Sequence, residues 1–311
     1  MKIKNRKISL GTGLAVLFLT SSVVYSIGYK VAMNKFNSIV STNQEKQKMY
    51  GDLSEIDYNI KNEYIGNINE PEVFEGMYRG YISKLEDCKF FNKEEYSKEI
   101  QNKKNIPAEV SWDEIDGSLG YLRCKSLGKG SADIFIERIE YFISQGIKKI
   151  IVDFRLSEQG LVEEAFKILQ YLLPEGDIVT AVTKNGEKKV VCKSTSKGIS
   201  SQVAIITSEN CSAASELISS AMRDGLGAKI VGQKTKGNFF REKIVQTSEN
   251  SIIRFPDAKY FTSSGNDLYK KGLEPDQILD LPEEKKELLK QENLSYEEDE
   301  QFNLAKNMFS E

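Results

Sequence analysis

The chain has 311 residues, 40% hydrophobic and 29% charged, enough for one large domain or two small ones. It contains no histidine, which excludes a Ser–His–Asp triad, a Cys–His dyad and any histidine-bound metal site. Formal net charge is −3, but five basic residues and no acid fall in residues 1–30, leaving 38 basic against 46 acidic residues, a body too acidic for a general nucleic-acid binder.

Ile8 to Tyr29 is an uncharged, mostly apolar run behind Lys2, Lys4, Arg6 and Lys7. A bilayer-spanning helix needs about 20 such residues, whereas the apolar stretch of a secretory signal is about 7–15 residues long and ends at a small-residue cleavage site. No such site precedes Lys30, so the run reads as a signal anchor, with a cleaved signal as the alternative. The basic flank places the N-terminus in the cytoplasm and the body outside. Asn34 to Lys48 is polar and suits a stalk. Glu72 to Leu85 sets Phe74, Met77, Tyr78, Tyr81, Ile82 and Leu85 on one helical stripe, as in a core or dimer helix.

From Leu119 the pattern turns to strand–helix–strand. Leu119–Cys124 reads as a strand, and Ser131 as the N-cap of a helix running to Ser144 and stopped by Gly146. Lys149–Phe154 has the short apolar run of a buried parallel strand, and Leu161–Leu173 is an amphipathic helix halted at Pro174. Asn185–Gly186 joins strands Asp177–Thr183 and Glu187–Cys192 in a hairpin. Val203–Thr207 is another buried strand, followed by a helix from about Ser212 to Asp224 that ends at Gly225. Strands follow at Lys229–Val231, Ile244–Thr247, Ser251–Phe255 and Ala258–Phe261. Residues 281–311 are charged, with a terminal helix, and the acids Glu297 to Glu300 read as its solvated start. Trp112 reads as core. Cys88, Cys124, Cys192 and Cys211 read as small buried hydrophobes, their pairing not legible. The order predicts an α/β domain with a largely parallel sheet.

Several landmarks in this stretch fall in one order. They are Gly120-Tyr121, Ile151 to Gly160, Cys211 to Glu216 with Asp224, Val231-Gly232, Thr235 to Phe239, Ala258 to Thr262 and Gly272 to Asp276. The set resembles the tail-specific, or C-terminal processing, serine proteases, which use a Ser–Lys dyad. A weaker echo covers Tyr64 to Tyr96. The resemblance implies a crotonase-like spiral α/β core over 119–280. Around it stand a cytoplasmic tip and anchor over 1–30, a helical region and linker over 31–118, and a charged helical tail over 281–311. The family usually carries a PDZ domain before the strand at Gly120, and the chain is expected to depart from it there, because Ser97 to Ser118 is too short for one.

The resemblance also assigns the site. The nucleophile position holds Ala213, the base position holds Asn238, and the family's Gln after the base falls at Glu242. The oxyanion turn is Ser157-Glu158-Gln159-Gly160 in place of Asn-Pro-Gly-Gly, with Gln159, Gly160 and Ala214 lining the cleft. A methyl group cannot attack, and a neutral amide cannot take a proton at pH 7. The expectation is a pseudoprotease that binds a peptide or protein, with no cofactor or metal. It would pair with itself or with an active relative. Two alternatives stay open. One is a displaced dyad of Ser212 or Ser215 with Lys236, which two residues along a strand would aim to the same face as Asn238. The other is a purely structural domain. Cys211 lacks a histidine to activate it.

Overall fold

The computed structural model describes residues 30, 33, 47, 48, 50–247 and 251–309. The run Ile8–Tyr29 lies outside the described residues, as does most of the stalk. Among the described residues no helix is long and apolar enough to cross a membrane. The chain divides into two compact units, residues 1–76 and 77–311. In the first, residues 50–63 form α1, and α2 (Glu70–Ile82) begins before the boundary. The stripe predicted on α2 is not a core face. Ile82 is buried, but Phe74, Met77, Tyr78, Tyr81 and Leu85 are exposed.

The second unit holds two sheets. Its elements begin with β1 (Lys89–Phe91), α3 (Lys93–Lys104), β2 (Ala108–Ile115), β3 (Leu119–Leu127) and α4 (Ser131–Ser144). They continue with β4 (Lys149–Asp153), β5 (Gln159–Gly160), α5 (Val162–Leu172), β6 (Pro174–Thr183) and β7 (Lys188–Lys197). Then come β8 (Gln202–Thr207), α6 (Ala213–Leu226), β9 (Lys229–Gly232), β10 (Phe240–Gln246) and β11 (Ile252–Phe261). The last are β12 (Gln277–Ile278), α7 (Glu283–Lys290) and α8 (Glu300–Asn307). One sheet has the order β12-β9-β8-β4-β3-β2, with β5 also on β3. It is parallel except for β2. The other, β1-β11-β6-β7 with β10 on β11, is wholly antiparallel. The single largely parallel sheet expected from sequence is therefore two.

Strand alternation fixes the layers. Ile150, Val152, Val203 and Ile205 face α4, α5, α6 and the second sheet in the main core. Their neighbours Ile151, Ala204 and Ile206 face the other way, onto Phe302 and Ala305 of α8. The charged tail thus forms two helices, the second of which covers the back of the parallel sheet.

Several element ends differ from the sequence reading. Ser131 is the first helical residue of α4, and Gly130, at φ 90, is its N-cap. The orphan amides of Gly130 and Ala132 donate instead to the buried Glu164 carboxylate, at 3.2 and 2.9 Å. Helix α6 runs through Gly225 and stops at Gly227, whose φ of 68 suits a C-terminal glycine. Strand β11 is continuous through Pro256, where two strands were expected. On one edge β1 pairs Ile252 to Arg254 and β6 pairs Ala258 to Phe261. Pro256 falls in the gap between them and beside the β10 bulge, so its missing N–H costs little. Trp112, expected in the core, is 39% exposed on the edge strand β2, its ring tilted against Tyr141 at 5.0 Å and covered by Arg138. Cys124, Cys192 and Cys211 are buried and Cys88 is half-buried.

Candidate functional site

Three segments meet at the first turn of α6. Strand β8 ends in a turn, and Ser212 N-caps the helix by accepting from the Ser215 amide at 3.3 Å. This places Ala213 at the first helical position, as expected. The turn after β4 is fastened to the same spot. Ser212 N donates to Ser157 O at 2.6 Å, and the Cys211 thiol donates to Phe154 O at 3.5 Å. Gly160 then passes so close that a Cβ there would lie 2.8 Å from Ala214 Cβ and 2.9 Å from Ser212 Oγ. Only glycine fits this approach. Gln159 is exposed and pairs in register with Ser126.

The third segment is residues 233–239, between β9 and β10. The sequence reading put Lys236 and Asn238 on one strand face, but both lie in a loop. Gly232 before the pair and Gly237 between them, at φ 114 and 88, break the extended path. A Cβ on Gly232 would lie 2.2 Å from Thr207 O. The loop is held from beneath by Glu216, fully buried on α6. Its carboxylate accepts from Gly237 N at 2.7 Å and Asn238 N at 2.5 Å. Burial raises the Glu216 pKa, while these amide bonds pull against that rise. The motif reading used Glu216 only as a landmark. An acid inside the otherwise small and apolar run Ala213 to Met222 was the signal that it had buried partners.

The groups assembled here can hold but lack a paired nucleophile and base. Ala213 offers a methyl group. Ser212 and Ser215 hydroxyls bond each other at 2.9 Å, and Ser215 Oγ also reaches Ser212 O at 3.0 Å and Ser157 O at 3.4 Å. Lys236 is exposed, and its Nζ donates to Asn210 Oδ1 at 3.1 Å. No hydrogen bond joins a lysine to either serine among the described residues. Burial pushes the Cys211 thiol up to about 12, so it is not a thiolate at neutral pH. Glu242 sits on β10 and is tied to Lys103 at 2.9 Å and Arg254 at 3.2 Å, away from the Ala213 turn. The amides of Ala213 and Ala214 have no acceptor among the described residues and stand at the positive end of α6.

The turn after β4 is anchored from behind. Arg155 donates to Asp153 (Nη2 to Oδ2, 2.7 Å) and to Asp299 (Nη2 to Oδ2, 2.7 Å; Nη1 to Oδ1, 3.0 Å). Tyr121 Oη donates to Asp153 Oδ2 at 2.5 Å. Asp299, expected to be solvated, is 2% exposed and N-caps α8 through the Phe302 amide at 3.0 Å. Burial would push Asp153 up, but the Arg155 charge and hydrogen bonds win and hold it at about 2. Because that pKa is depressed on folding, the stabilisation is complete above the unfolded value and is lost as pH falls toward 2. We expect about 2 kcal/mol of acid-labile stability from this carboxylate. Urea unfolding at pH 7, 4 and 2.5 checks it. Asp153→Asn should flatten the dependence, and an unchanged slope would remove Asp153 as its source.

Comparison with known proteins bears on this arrangement. The model of the family described as Peptidase family S41 matches residues 118–279. A probable CtpA-like serine protease of Staphylococcus epidermidis is 28% identical over 199 residues, covering 63% of this chain and 40% of that protein. The carboxy-terminal processing protease CtpA of Bacillus subtilis is 23% identical over 180 residues, covering 57% of this chain and 39% of that one. The chain thus matches about two fifths of the length of these relatives. The solved structure of a lipoprotein from Streptococcus agalactiae shares the fold, with a TM-score of 0.55 at 14% identity, over 73% of this chain and 84% of that one.

Proposed function

The chain belongs to peptidase family S41, with C-terminal processing proteases among its relatives, and we propose that it is a pseudoprotease that holds extended peptides without cutting them. The observation that carries this reading is the first turn of α6. A methyl group stands there, at Ala213, and among the described residues its amide has no acceptor and no lysine is bonded to a neighbouring hydroxyl. The amide of the half-buried Ala213 suits a peptide carbonyl or carboxylate, as helix N-termini do, whereas Ala214 is fully buried. Gly160 packs directly against Ala214 and Ser212 at this turn, and Asn238 is held to the same helix by Glu216. The displaced-dyad alternative draws no support from Lys236, which points to Asn210. We infer further that this body lies outside the cell, from the basic flank before the apolar run Ile8–Tyr29. It pairs there with peptide tails, with a second copy or with an active relative.

Titration of the purified full chain in detergent with an uncharged extended peptide tests the holding role. Amide shifts are expected at Gly160, Ala213, Ala214 and Asn238, with the peptide recovered intact. A titration that moves none of these amides would leave the structural alternative as the better account.

A further inference from the structure

Leu161, next to Gly160, forms part of the wall of a cleft of about 580 Å³. The opposing walls bring Tyr96, Lys103 and Lys104 from α3, Lys129 from the turn before α4, and Arg254 from β11. Glu99 is the one acid among the lining residues, and Arg254 takes it at 2.7 Å. Glu242 reaches Lys103 and Arg254 from β10. Lys104 and Lys129 have no hydrogen-bond or ion-pair partner among the described residues. Four cations thus face two acids. The C-terminus of α3 adds about half a negative charge, which leaves the cleft positive. That sign runs against the −3 charge of the whole chain.

We propose that this cleft takes the acidic side chains of an extended peptide whose backbone lies along Gly160 and Ala213. The proposal rests on the peptide-holding reading and adds the class of ligand. The two uncompensated cations come from separate elements, so their charge is spread across the cleft. A single chain-terminal carboxylate would meet one of them, whereas an acidic run meets both. Tyr96 and Leu161 supply apolar wall for the methylene stems of glutamates.

Three labelled peptides of equal length test this against the full chain at low salt. One carries a run of glutamates and a free C-terminus, one carries the same run with an amidated C-terminus, and one replaces the run with glutamines. Both glutamate peptides should bind about tenfold more tightly than the glutamine peptide, the scale of two solvent-accessible charge pairs. In the Lys104→Gln/Lys129→Gln double variant that advantage should vanish, with the affinity for the glutamine peptide unchanged. Equal binding of all three peptides to the wild-type chain overturns the proposal and leaves the holding role standing. So does an advantage that survives the double variant, or one that disappears on amidation, which would assign the cleft to a chain terminus. No binding by any peptide overturns both.

Discussion

Replacing Arg155 with Ala is expected to cost about 3–5 kcal/mol of folding stability, the range for breaking a buried ion pair by removing one partner. Arg155 is 5% exposed and lies between Asp153 and Asp299, which are 1% and 2% exposed. Without it the two carboxylates lose their shared cation in a dry interior, Asp153 keeping Tyr121, the residue-155 amide and Arg123 at 3.6 Å, and Asp299 only the Phe302 amide. The effect should extend beyond the pair. Asp299 both caps α8 and receives Arg155, so the variant loosens the helix that covers the back of the parallel sheet. It also frees the turn that carries Ser157 to the α6 N-terminus. Equilibrium urea unfolding gives the magnitude. A midpoint within experimental error of the wild type would show that the network is not what holds this turn.

The double change Ala213→Ser with Asn238→Lys should fail to create a working peptidase. It supplies the two missing groups, yet the turn that would hold a developing negative charge stays altered. Ser157 O already accepts the Ser212 amide at 2.6 Å, and the exposed Glu158 adds a negative charge beside it. One missing oxyanion donor alone is worth about 10²–10³-fold in rate. Residue 238 also lies in a loop set by Glu216 and Gly237, so a new lysine starts from loop backbone rather than from a strand. Turnover of an unstructured peptide by the double variant is expected to stay at least about 10²-fold below that of an active relative assayed beside it. Turnover equal to the relative's would show that the Ser157–Gly160 turn supports the chemistry after all.

Much of the core was legible because local pattern and tertiary environment agree there. Buried strands such as Val203–Thr207 read as apolar runs, and Pro174 and the amphipathic period bounded α5 within a residue. Two of the misreadings share one cause, a partner far away in sequence. Asp299 looked solvated because its run is acidic, but Arg155, 144 residues earlier, draws it inside. Ser131 looked like a cap, but Glu164 does that work from α5. Lys236 and Asn238 read as strand because Gly237 between them was weighed as sequence, without its left-handed backbone. The motif alignment set Ala213 at the start of a helix, where it stands, and Gly160 at a close approach that a Cβ would block. It gave no hint that Lys104 and Lys129 line one cleft with Leu161, because that cleft joins five segments with no common pattern.

The most direct test of the central claim is incubation of the purified full chain with an unstructured polypeptide, followed by mass spectrometry of the substrate. Expected is an intact substrate after prolonged incubation, with no labelling of the protein by a serine-directed probe. Cleavage that is abolished by Ser212→Ala, Ser215→Ala or Lys236→Ala would contradict the account, and would place a working dyad where the geometry shows only a serine pair and a lysine bonded to Asn210.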